Sequence, residues 1–149
     1  MRAVIQRVSR ANVSVDGEIT GKTGQGLIVF LGVHNDDSDI DCAYMAEKIL
    51  NLRIFHDSEG KMNLSLLETG GDILIISQFT LYGDTRKGRR PSFNDAASPG
   101  KGKLFYNKFI ELVKQSGLKT ETGVFGALMA VDYINDGPVT ILIDSFKTF

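Results

Sequence analysis

The sequence predicts a single α+β domain with a mixed or largely antiparallel β-sheet and two main helices. Its length of 149 residues suits one domain, and no linker or repeat divides residues 1–149. Many short segments have the apolar or alternating pattern of strands, whereas only two longer segments have helical spacing. Frequent turn residues separate these segments, and together the observations favour the α+β class.

The first segments of the chain predict strands. Residues Ala11–Asp16 alternate apolar with polar side chains, as expected of a strand with one solvated face. Asp16-Gly17 follows as a tight turn, because glycine tolerates a positive φ angle. The apolar run Leu27–Leu31 is short, which favours a buried strand over a helix. Arg2–Val8 is interpreted as a strand with a less clean pattern.

Two segments predict helices. Ser38–Leu50 begins with a residue that can cap a helix, and Asp41 lies three positions further on, close to a capping box. In Leu104–Gln115 large apolar residues recur at i, i+4 and i+7, which places them on one face. Gly117 can end this second helix as its C-cap.

The other segments complete the predicted sheet. In chain order we expect a short strand over Leu52–Phe55, a turn over Asp57–Gly60, a central strand over Asp72–Phe79, a basic loop from Asp84 to about Pro99, a strand over Ala127–Ile134, a turn over Asn135–Pro138 and a last strand over Val139–Ile143. The central strand and the basic loop lie side by side in the sequence.

Composition predicts a soluble cytoplasmic protein. The net charge of -1 provides no overall attraction to nucleic acid, so such binding requires a local patch. Cys42 is the only cysteine, which excludes an intrachain disulfide and fits a reducing compartment. No signal-peptide core is present at the N-terminus, and no apolar run approaches the roughly 20 residues that span a bilayer. We therefore expect no membrane association.

The two histidines do not predict a metal site. Neither His34 nor His56 has a cysteine or glutamate at metal-ligand spacing, so both are interpreted as surface or loop residues. The sequence also contains no Gly-x-Ser-x-Gly nucleophile elbow and no phosphate-binding P-loop. We expect no metal ion.

The stretch Ser77-Gln78-Phe79-Thr80 follows the apolar part of the central strand. Its two hydroxyl groups can act as nucleophiles beside a base, but the sequence offers no evident base next to them. Alternatively, Ser77 and Thr80 simply end a strand and hydrogen-bond to the backbone. A third interpretation assigns the chemistry to backbone N–H groups at the strand end, which can bind a developing oxyanion.

Two further features suggest contacts with a charged substrate. Four cations within five positions, Arg86, Lys87, Arg89 and Arg90, form either a solvated loop or a phosphate-binding loop, and their proximity to Thr80 favours the second. Gly137-Pro138 is either a simple turn or a cis peptide, which costs only about 0.5–1 kcal/mol before proline. A cis bond would direct two successive carbonyl oxygens to one side, where they can accept hydrogen bonds from an ammonium group.

Two motifs, Ser77–Thr80 and Asn135–Thr140, together resemble the signature motifs of the D-aminoacyl-tRNA deacylase family, which includes the D-tyrosyl-tRNA deacylases. The similarity covers essentially the whole chain and includes Met1–Val8, Ala46–Arg53, Gly83–Phe93 and Thr122–Ala127. It implies a homodimeric carboxylic ester hydrolase with a barrel-like core of mixed or antiparallel sheets and two main helices packed outside. No metal or organic cofactor is implied.

The resemblance implies a substrate and a role for each motif. The substrate is the ester between a D-amino acid, or mischarged glycine, and the 3′ ribose of tRNA. Gly137-Pro138 would be a cis pair that enters the partner's site, holds the α-ammonium group and excludes an L side chain. The opposite, catalytic wall would comprise Ser77, Gln78, Phe79 and Thr80. Phe125 and Met129 would complete the pocket, and Arg7 would steady the Gly-Pro loop.

The resemblance leaves two mechanisms for Thr80. In one, the amides of Phe79 and Thr80 polarise the ester carbonyl, Thr80 positions the substrate, and the terminal 2′-hydroxyl of the RNA assists the attacking water. In the other, the Thr80 hydroxyl is a covalent nucleophile.

Two other functions fit parts of the sequence. A non-catalytic RNA-binding module would use the Arg86–Arg90 loop, but it would not need Ser77–Thr80 or Gly137-Pro138. A small-molecule esterase would use Ser77 or Thr80 as its nucleophile, but the missing base argues against it. Deacylation assays with D- and L-aminoacyl-tRNA distinguish these functions.

Overall fold

Eight strands, three α-helices and one 3₁₀ turn make up the computed structural model, which describes residues 1–149. The strands are β1 (Arg2–Val15), β2 (Glu18–Thr23), β3 (Gly26–Gly32), β4 (Phe55–His56), β5 (Met62–Leu64), β6 (Asp72–Ser77), β7 (Thr120–Thr122) and β8 (Ala130–Asp144). The helices are α1 (Asp39–Leu50), α2 (Leu66–Thr69) and α3 (Pro99–Lys114), and the 3₁₀ turn covers Phe79–Tyr82. The predicted α+β class is confirmed.

Strand β1 organises the main sheet because it is paired along both edges. One edge pairs antiparallel with β3 and then with β2, and the other pairs antiparallel with β8. The parallel pairs β3–β6 and β6–β7 make the sheet mixed, as predicted. Strand β2 approaches β7, since a Cβ added at Gly21 would lie 2.7 Å from the Thr122 carbonyl oxygen. The sheet is therefore a nearly closed barrel.

Two apolar clusters lie on opposite faces of this sheet. In the buried strand β3, Leu27, Val29 and Leu31 belong to the larger cluster, whereas Ile28 belongs to the smaller one. This division follows from the alternation of side chains along a strand. Helices α1 and α3 pack against the larger cluster. The smaller cluster fills the interior of the curled sheet, where Val8 and Val13 of β1 belong to the same cluster as Leu74 and Ile76 of β6.

The two predicted helices are both present. In α1 the carboxylate of Asp41 accepts a hydrogen bond from the N–H of Ser38 at 2.9 Å, so the predicted capping arrangement forms. Helix α3 begins at Pro99, five residues before the predicted start, because proline needs no N–H acceptor at the first helical position. No helix in the structure has the length and apolar character needed to cross a membrane.

Two short elements differ from the sequence prediction. Helix α2 was not predicted, although Ser65 and Glu68 form a capping box in which Glu68 N–H donates to Ser65 Oγ at 3.2 Å. The prediction of a strand over Leu52–Phe55 is wrong, because Ile54 N–H bonds back to the Leu52 carbonyl oxygen and pairing with β5 begins only at Phe55.

The C-terminal strand is continuous, and the prediction of two strands joined by a turn at Asn135–Pro138 is wrong. Strand β8 stays paired with β1 on both sides of this segment, through Val8–Asn135 and Gln6–Thr140. Residues 136–139 therefore bulge out opposite a single residue of β1. Turn-forming residues mark a bulge as readily as a hairpin, so only the pairing with β1 decides between them.

Candidate active site

The stretch that follows β6 leaves the sheet at the carboxyl end of that strand. Strand β6 ends at Ser77 rather than at the predicted Phe79, and the chain then forms the 3₁₀ turn. The N–H of Gln78 still donates to the Leu31 carbonyl oxygen at 2.8 Å, so the turn begins from a fixed strand pair. Gly83 N–H donates to the Thr80 carbonyl oxygen at 2.9 Å and closes the turn.

Gly32 allows the turn to lie directly on β3. A Cβ at this position would lie 3.0 Å from the Gln78 carbonyl oxygen and 3.3 Å from the side chains of Leu81 and Tyr82. Tyr82 is buried beneath the turn, whereas Phe79 is 58% exposed. Sequence reasoning did not identify Gly32, since nothing local to β3 indicates which segment packs against it.

Two backbone amides begin the turn. In 3₁₀ geometry each N–H bonds to the carbonyl three residues earlier, so the amides of Phe79 and Thr80 have no acceptor within the turn. Such groups can bind an anionic oxygen as it develops on a carbonyl. The turn thus provides two donors beside an exposed aromatic ring.

The hydroxyl groups of the motif are not paired with a base. Thr80 Oγ1 accepts a hydrogen bond from Gln78 Nε2, and no imidazole or carboxylate is bonded to Thr80 or Ser77. His34 packs against Tyr82 with ring centroids 5.1 Å apart, and its Nδ1 accepts a hydrogen bond from the Asp36 N–H. A nucleophile–histidine–acid constellation is therefore not formed.

The basic loop is held in shape by its own residues. Asp84 and Ser92 form an antiparallel bridge with N–H···O distances of 2.8 and 3.0 Å. Arg86 binds both carboxylate oxygens of Asp84, at 2.9 and 2.8 Å, and these hydrogen bonds lower the pKa of Asp84 to about 2. Of the four predicted phosphate ligands, Arg86 is thus already paired. The other three are exposed and make no ion pair: Lys87, Arg89 and Arg90.

The β8 bulge presents Gly137 and Pro138 to solvent. The peptide bond between them is cis. Asn135 fixes the start of the bulge, because its side-chain oxygen accepts a hydrogen bond from the Val139 N–H at 3.1 Å. The backbone of Gly137 has a φ angle of +127°, which strongly favours glycine.

Arg7 braces this bulge from inside the protein. Its side chain is only 4% exposed. Nε lies 3.2 Å from the Asp136 carbonyl oxygen and 3.4 Å from the Asp136 carboxylate. Nη1 donates to the Ile54 carbonyl oxygen at 2.6 Å. The guanidinium group therefore ties the bulge to the segment before β4.

The other predicted pocket residues lie near the carboxyl end of β6. The Phe125 ring is 5.7 Å from the ring of Tyr106, whose hydroxyl donates to the Ile75 carbonyl oxygen at 2.8 Å. The sulfur of Met129 lies over Gly123, whose missing side chain would also contact Ile76. Phe125 packs against the larger apolar cluster and Met129 against the smaller one, so the two side chains lie on opposite faces of the sheet.

One chain does not bring the two motifs together. Arg7, which lies opposite the bulge, is in register with Leu27 of β3 and, through it, with Ile73 of β6. Ser77 is in register with Leu31 of β3. Leu27 and Leu31 are four residues apart along β3, which corresponds to about 13 Å at the rise of a parallel strand. The structure thus places Ser77–Thr80 at the carboxyl end of β6, and Gly137, Pro138 and Arg7 toward the other end of the sheet.

The fold and site define a class of α+β protein whose candidate active site is a 3₁₀ turn at the end of a strand. The site contains no pair of a nucleophile and a base. The sequence model of the D-Tyr-tRNA(Tyr) deacylase family matches residues 4–144. The chain belongs to this family. At no position do three or more His, Cys, Asp or Glu side chains form a group that could hold a metal ion.

Individual relatives show the same similarity. The chain is 60% identical to the D-aminoacyl-tRNA deacylase of Fervidobacterium nodosum, with 100% of both chains covered. It is also similar to the solved structure of a c-Myc DNA Unwinding Element Binding Protein, with 41% identity, a TM-score of 0.91, and coverage of 97% of this chain and 98% of that one. A probable eukaryotic D-amino acid tRNA deacylase shares the fold, with a TM-score of 0.84 at 21% identity over 95% of this chain and 97% of that one.

Proposed function

We propose that this protein hydrolyses the ester bond of D-aminoacyl-tRNA, and of glycine mischarged on tRNA, and releases the free amino acid and tRNA. Family membership supports the substrate class. The observation that carries the proposal is the 3₁₀ turn fixed on Gly32, whose first two amides have no acceptor within the turn. An aminoacyl ester is already activated, so polarisation of its carbonyl and placement of a water can suffice without a strong nucleophile.

In this mechanism the amides of Phe79 and Thr80 stabilise negative charge on the carbonyl oxygen. One such donor is typically worth about 2.7–4 kcal/mol of transition-state stabilisation. The Thr80 hydroxyl, already hydrogen-bonded to Gln78, acts as a positioning group rather than a nucleophile. The terminal 2′-hydroxyl of the RNA assists the attacking water, with Ser77 lining the same wall.

The complete site contains residues from two subunits. Within one chain Arg7, which braces Gly137-Pro138, is offset from Ser77 by about 13 Å along the sheet, so a substrate held by the turn is not expected to meet the bulge of the same chain. A second copy can supply the missing bulge. Exposed apolar side chains on β8, Leu142 at 58% and Ile134 at 48%, provide surface for such a homodimer.

Chirality is selected by the braced backbone of the partner's bulge. A hydrophobic pocket discriminates by only about 1–3 kcal/mol per methylene group, so rejection of a mirror image needs a rigid obstacle. The bulge meets this requirement because Arg7 holds it from beneath. Its carbonyl groups bind the α-ammonium group, and an L side chain would collide with it. Glycine has no side chain to reject, so its ester is also cleaved.

A non-catalytic RNA-binding module is the second candidate. The exposed and unpaired Lys87, Arg89 and Arg90 favour it, because they can contact phosphate groups of any nucleic acid. One structural relative is named for binding a DNA element. Nucleic-acid binding alone, however, gives no role to the fixed turn or to the braced bulge.

A deacylation assay distinguishes the two candidates. We expect the purified protein to release amino acid from D-aminoacyl-tRNA and from mischarged glycyl-tRNA, and to leave the matched L-aminoacyl-tRNA intact. The fraction of charged tRNA is followed by acid-gel electrophoresis against a buffer control. Salt-sensitive binding of all three tRNAs without any ester cleavage would establish the binding module instead.

The salt dependence of tRNA binding tests the three free cations. We expect Arg89→Ala, Arg90→Ala and Lys87→Ala each to lower the slope of log K against log salt by about 0.7–0.9, as for one lost phosphate contact. Arg86→Ala should change the slope less, because Asp84 already pairs with that guanidinium group. Titrations of the protein with tRNA at salt concentrations from about 50 to 200 mM measure this slope. Equal slope changes for Arg86 and Arg89 would contradict this assignment.

A further inference from the structure

We infer that Arg2 is a positioning residue for the active-site turn, an inference that rests on the proposed deacylase function. Arg2 lies on β1 and is paired in the sheet with Gly32, the residue on which the turn rests. A Cβ at Gly32 would meet Leu81 and Tyr82, and the Arg2 guanidinium group contacts the same two residues. It is the one charged side chain that hydrogen-bonds to the backbone of the turn.

Arg2 contacts the turn at two adjacent residues. Nη1 donates to the Leu81 carbonyl oxygen at 3.2 Å. Cζ lies 4.7 Å from the centroid of the Tyr82 ring, a distance at which a cation and an aromatic face attract. Leu81 directly follows Thr80, so a shift at this anchor changes the direction of the Thr80 and Phe79 amides.

Asp144 orients Arg2 from the opposite side. Its carboxylate accepts a hydrogen bond from Arg2 Nε at 3.1 Å, and the two residues are direct partners in the β1–β8 ladder. Burial opposes ionisation of Asp144, but three hydrogen bonds, one of them from Arg2, outweigh it and lower its pKa. The carboxylate is therefore charged at neutral pH and only 1% exposed, which makes it a fixed partner for the guanidinium group.

The planar guanidinium group suits this role better than an ammonium group would. It binds Asp144, the Leu81 carbonyl and the Tyr82 ring with different parts of one rigid plane. A lysine can replace one of these contacts but not all three. Arg2 thus couples the first strand of the barrel to the position of the catalytic amides without touching the substrate.

Single-turnover deacylation of D-aminoacyl-tRNA with Arg2→Met tests the inference. With enzyme saturating, we expect the rate to fall roughly 10- to 100-fold, since small misplacements of catalytic groups have effects of this size. The concentration that gives half the maximal rate should not change. Arg2→Lys should recover part of the rate. Arg10→Met is the matched control on the same strand, because Arg10 forms only an exposed pair with Asp132, and it should keep the wild-type rate.

Amide hydrogen exchange provides a readout independent of activity. In Arg2→Met we expect faster exchange at Leu81 and Gly83, whose N–H groups close the turn, and unchanged exchange at Gln78, which is bonded to β3. If Arg2→Met does not fold, the same two measurements on Arg2→Lys decide the question.

Three results would overturn the inference. The first is an unchanged saturating rate in a folded Arg2 variant. The second is an unchanged saturating rate with a higher enzyme concentration at half the maximal rate and a smaller dependence of tRNA binding on salt. That result would make Arg2 a phosphate contact. The third is uniform acceleration of exchange, which would indicate a general loss of stability. If the wild-type protein itself cleaves no D-aminoacyl-tRNA, the proposed function fails, whereas the exchange pattern still reports whether Arg2 holds the turn.

Discussion

Gly137→Ala is expected to lower the hydrolysis of D-aminoacyl-tRNA about 100-fold and to reduce the preference for D over L substrates. The new Cβ would lie 2.8 Å from Arg7 Nη2 and 2.9 Å from Val139 Cγ2, and the φ angle of +127° disfavours any L residue. The bulge must therefore move away from the position that Arg7 enforces. Initial rates with matched D- and L-aminoacyl-tRNA measure both effects.

Gly17→Ala is the control for backbone strain. Gly17 also has a positive φ angle, +83°, but a Cβ there meets no atom within 4 Å, and the residue lies in the turn between β1 and β2. We expect a cost in stability of about 1–3 kcal/mol with no change in chiral preference. If Gly137→Ala kept the wild-type preference, Gly137-Pro138 would not be the chirality filter.

Removal of a single backbone N–H at Phe79 is expected to reduce the deacylation rate about 100- to 1,000-fold. Incorporation of phenyllactic acid at position 79 replaces that N–H with an ester oxygen and keeps the aromatic side chain. Because the amide has no acceptor within its own turn, this change removes a substrate contact and no donor of the turn's internal hydrogen bonds. It also weakens the Gln78 carbonyl as the acceptor for the Leu81 N–H, whereas the bond from the Gly83 N–H to the Thr80 carbonyl stays intact. Single-turnover kinetics with D-aminoacyl-tRNA provide the measurement.

The matched comparison is Thr80→Ala, which removes the hydroxyl and keeps the amide. We expect it to retain a rate within about tenfold of wild type, the scale of one neutral hydrogen bond of about 1 kcal/mol. Complete loss in Thr80→Ala with intact tRNA binding, or a trapped acyl-enzyme, would show that the hydroxyl is the nucleophile and that the amide mechanism is incorrect.

The position-79 ester and Gly137→Ala, mixed together, also test whether each active site is built from two subunits. A chain with the position-79 ester has an intact bulge, and Gly137→Ala has an intact turn. In a mixed dimer with shared sites, one site combines both intact parts, so mixing two weakly active proteins should restore activity. Sites contained within one chain would give no recovery.

Local patterns in the sequence were sufficient to predict many of the strands and helices of the fold. Apolar runs and caps placed β3 and α1 within a residue or two, because burial and capping act over a few neighbouring positions. The motif Ser77–Thr80 was correctly located at the end of the central strand. The start of α3 was missed because Pro99 was interpreted as a loop residue, although proline also begins helices.

Features that depend on distant residues were not predictable in this way. The continuity of β8 is decided by its pairing with β1, in which the partners are between 116 and 142 positions apart along the chain. The contact of Arg2 with the Leu81 carbonyl spans 79 positions and has no local signal. Likewise, nothing around Gly32 indicates that the turn packs against it. The expectation that Gly137-Pro138 and Thr80 belong to one active site came only from the family resemblance.

The continuous pairing of β8 also limits how the Gly-Pro segment can evolve. Asn135 and Thr140 are both registered against β1, so the two ends of the segment are fixed, while residues 136–139 bulge out opposite a single residue of β1. One residue inserted or deleted there would be taken up in the bulge, which would shift the Gly-Pro peptide relative to Arg7 while Ile143 keeps its place in the core. Substitutions can therefore alter this segment's chemistry, whereas a change in its length would move the Gly-Pro peptide off its brace without disturbing the barrel.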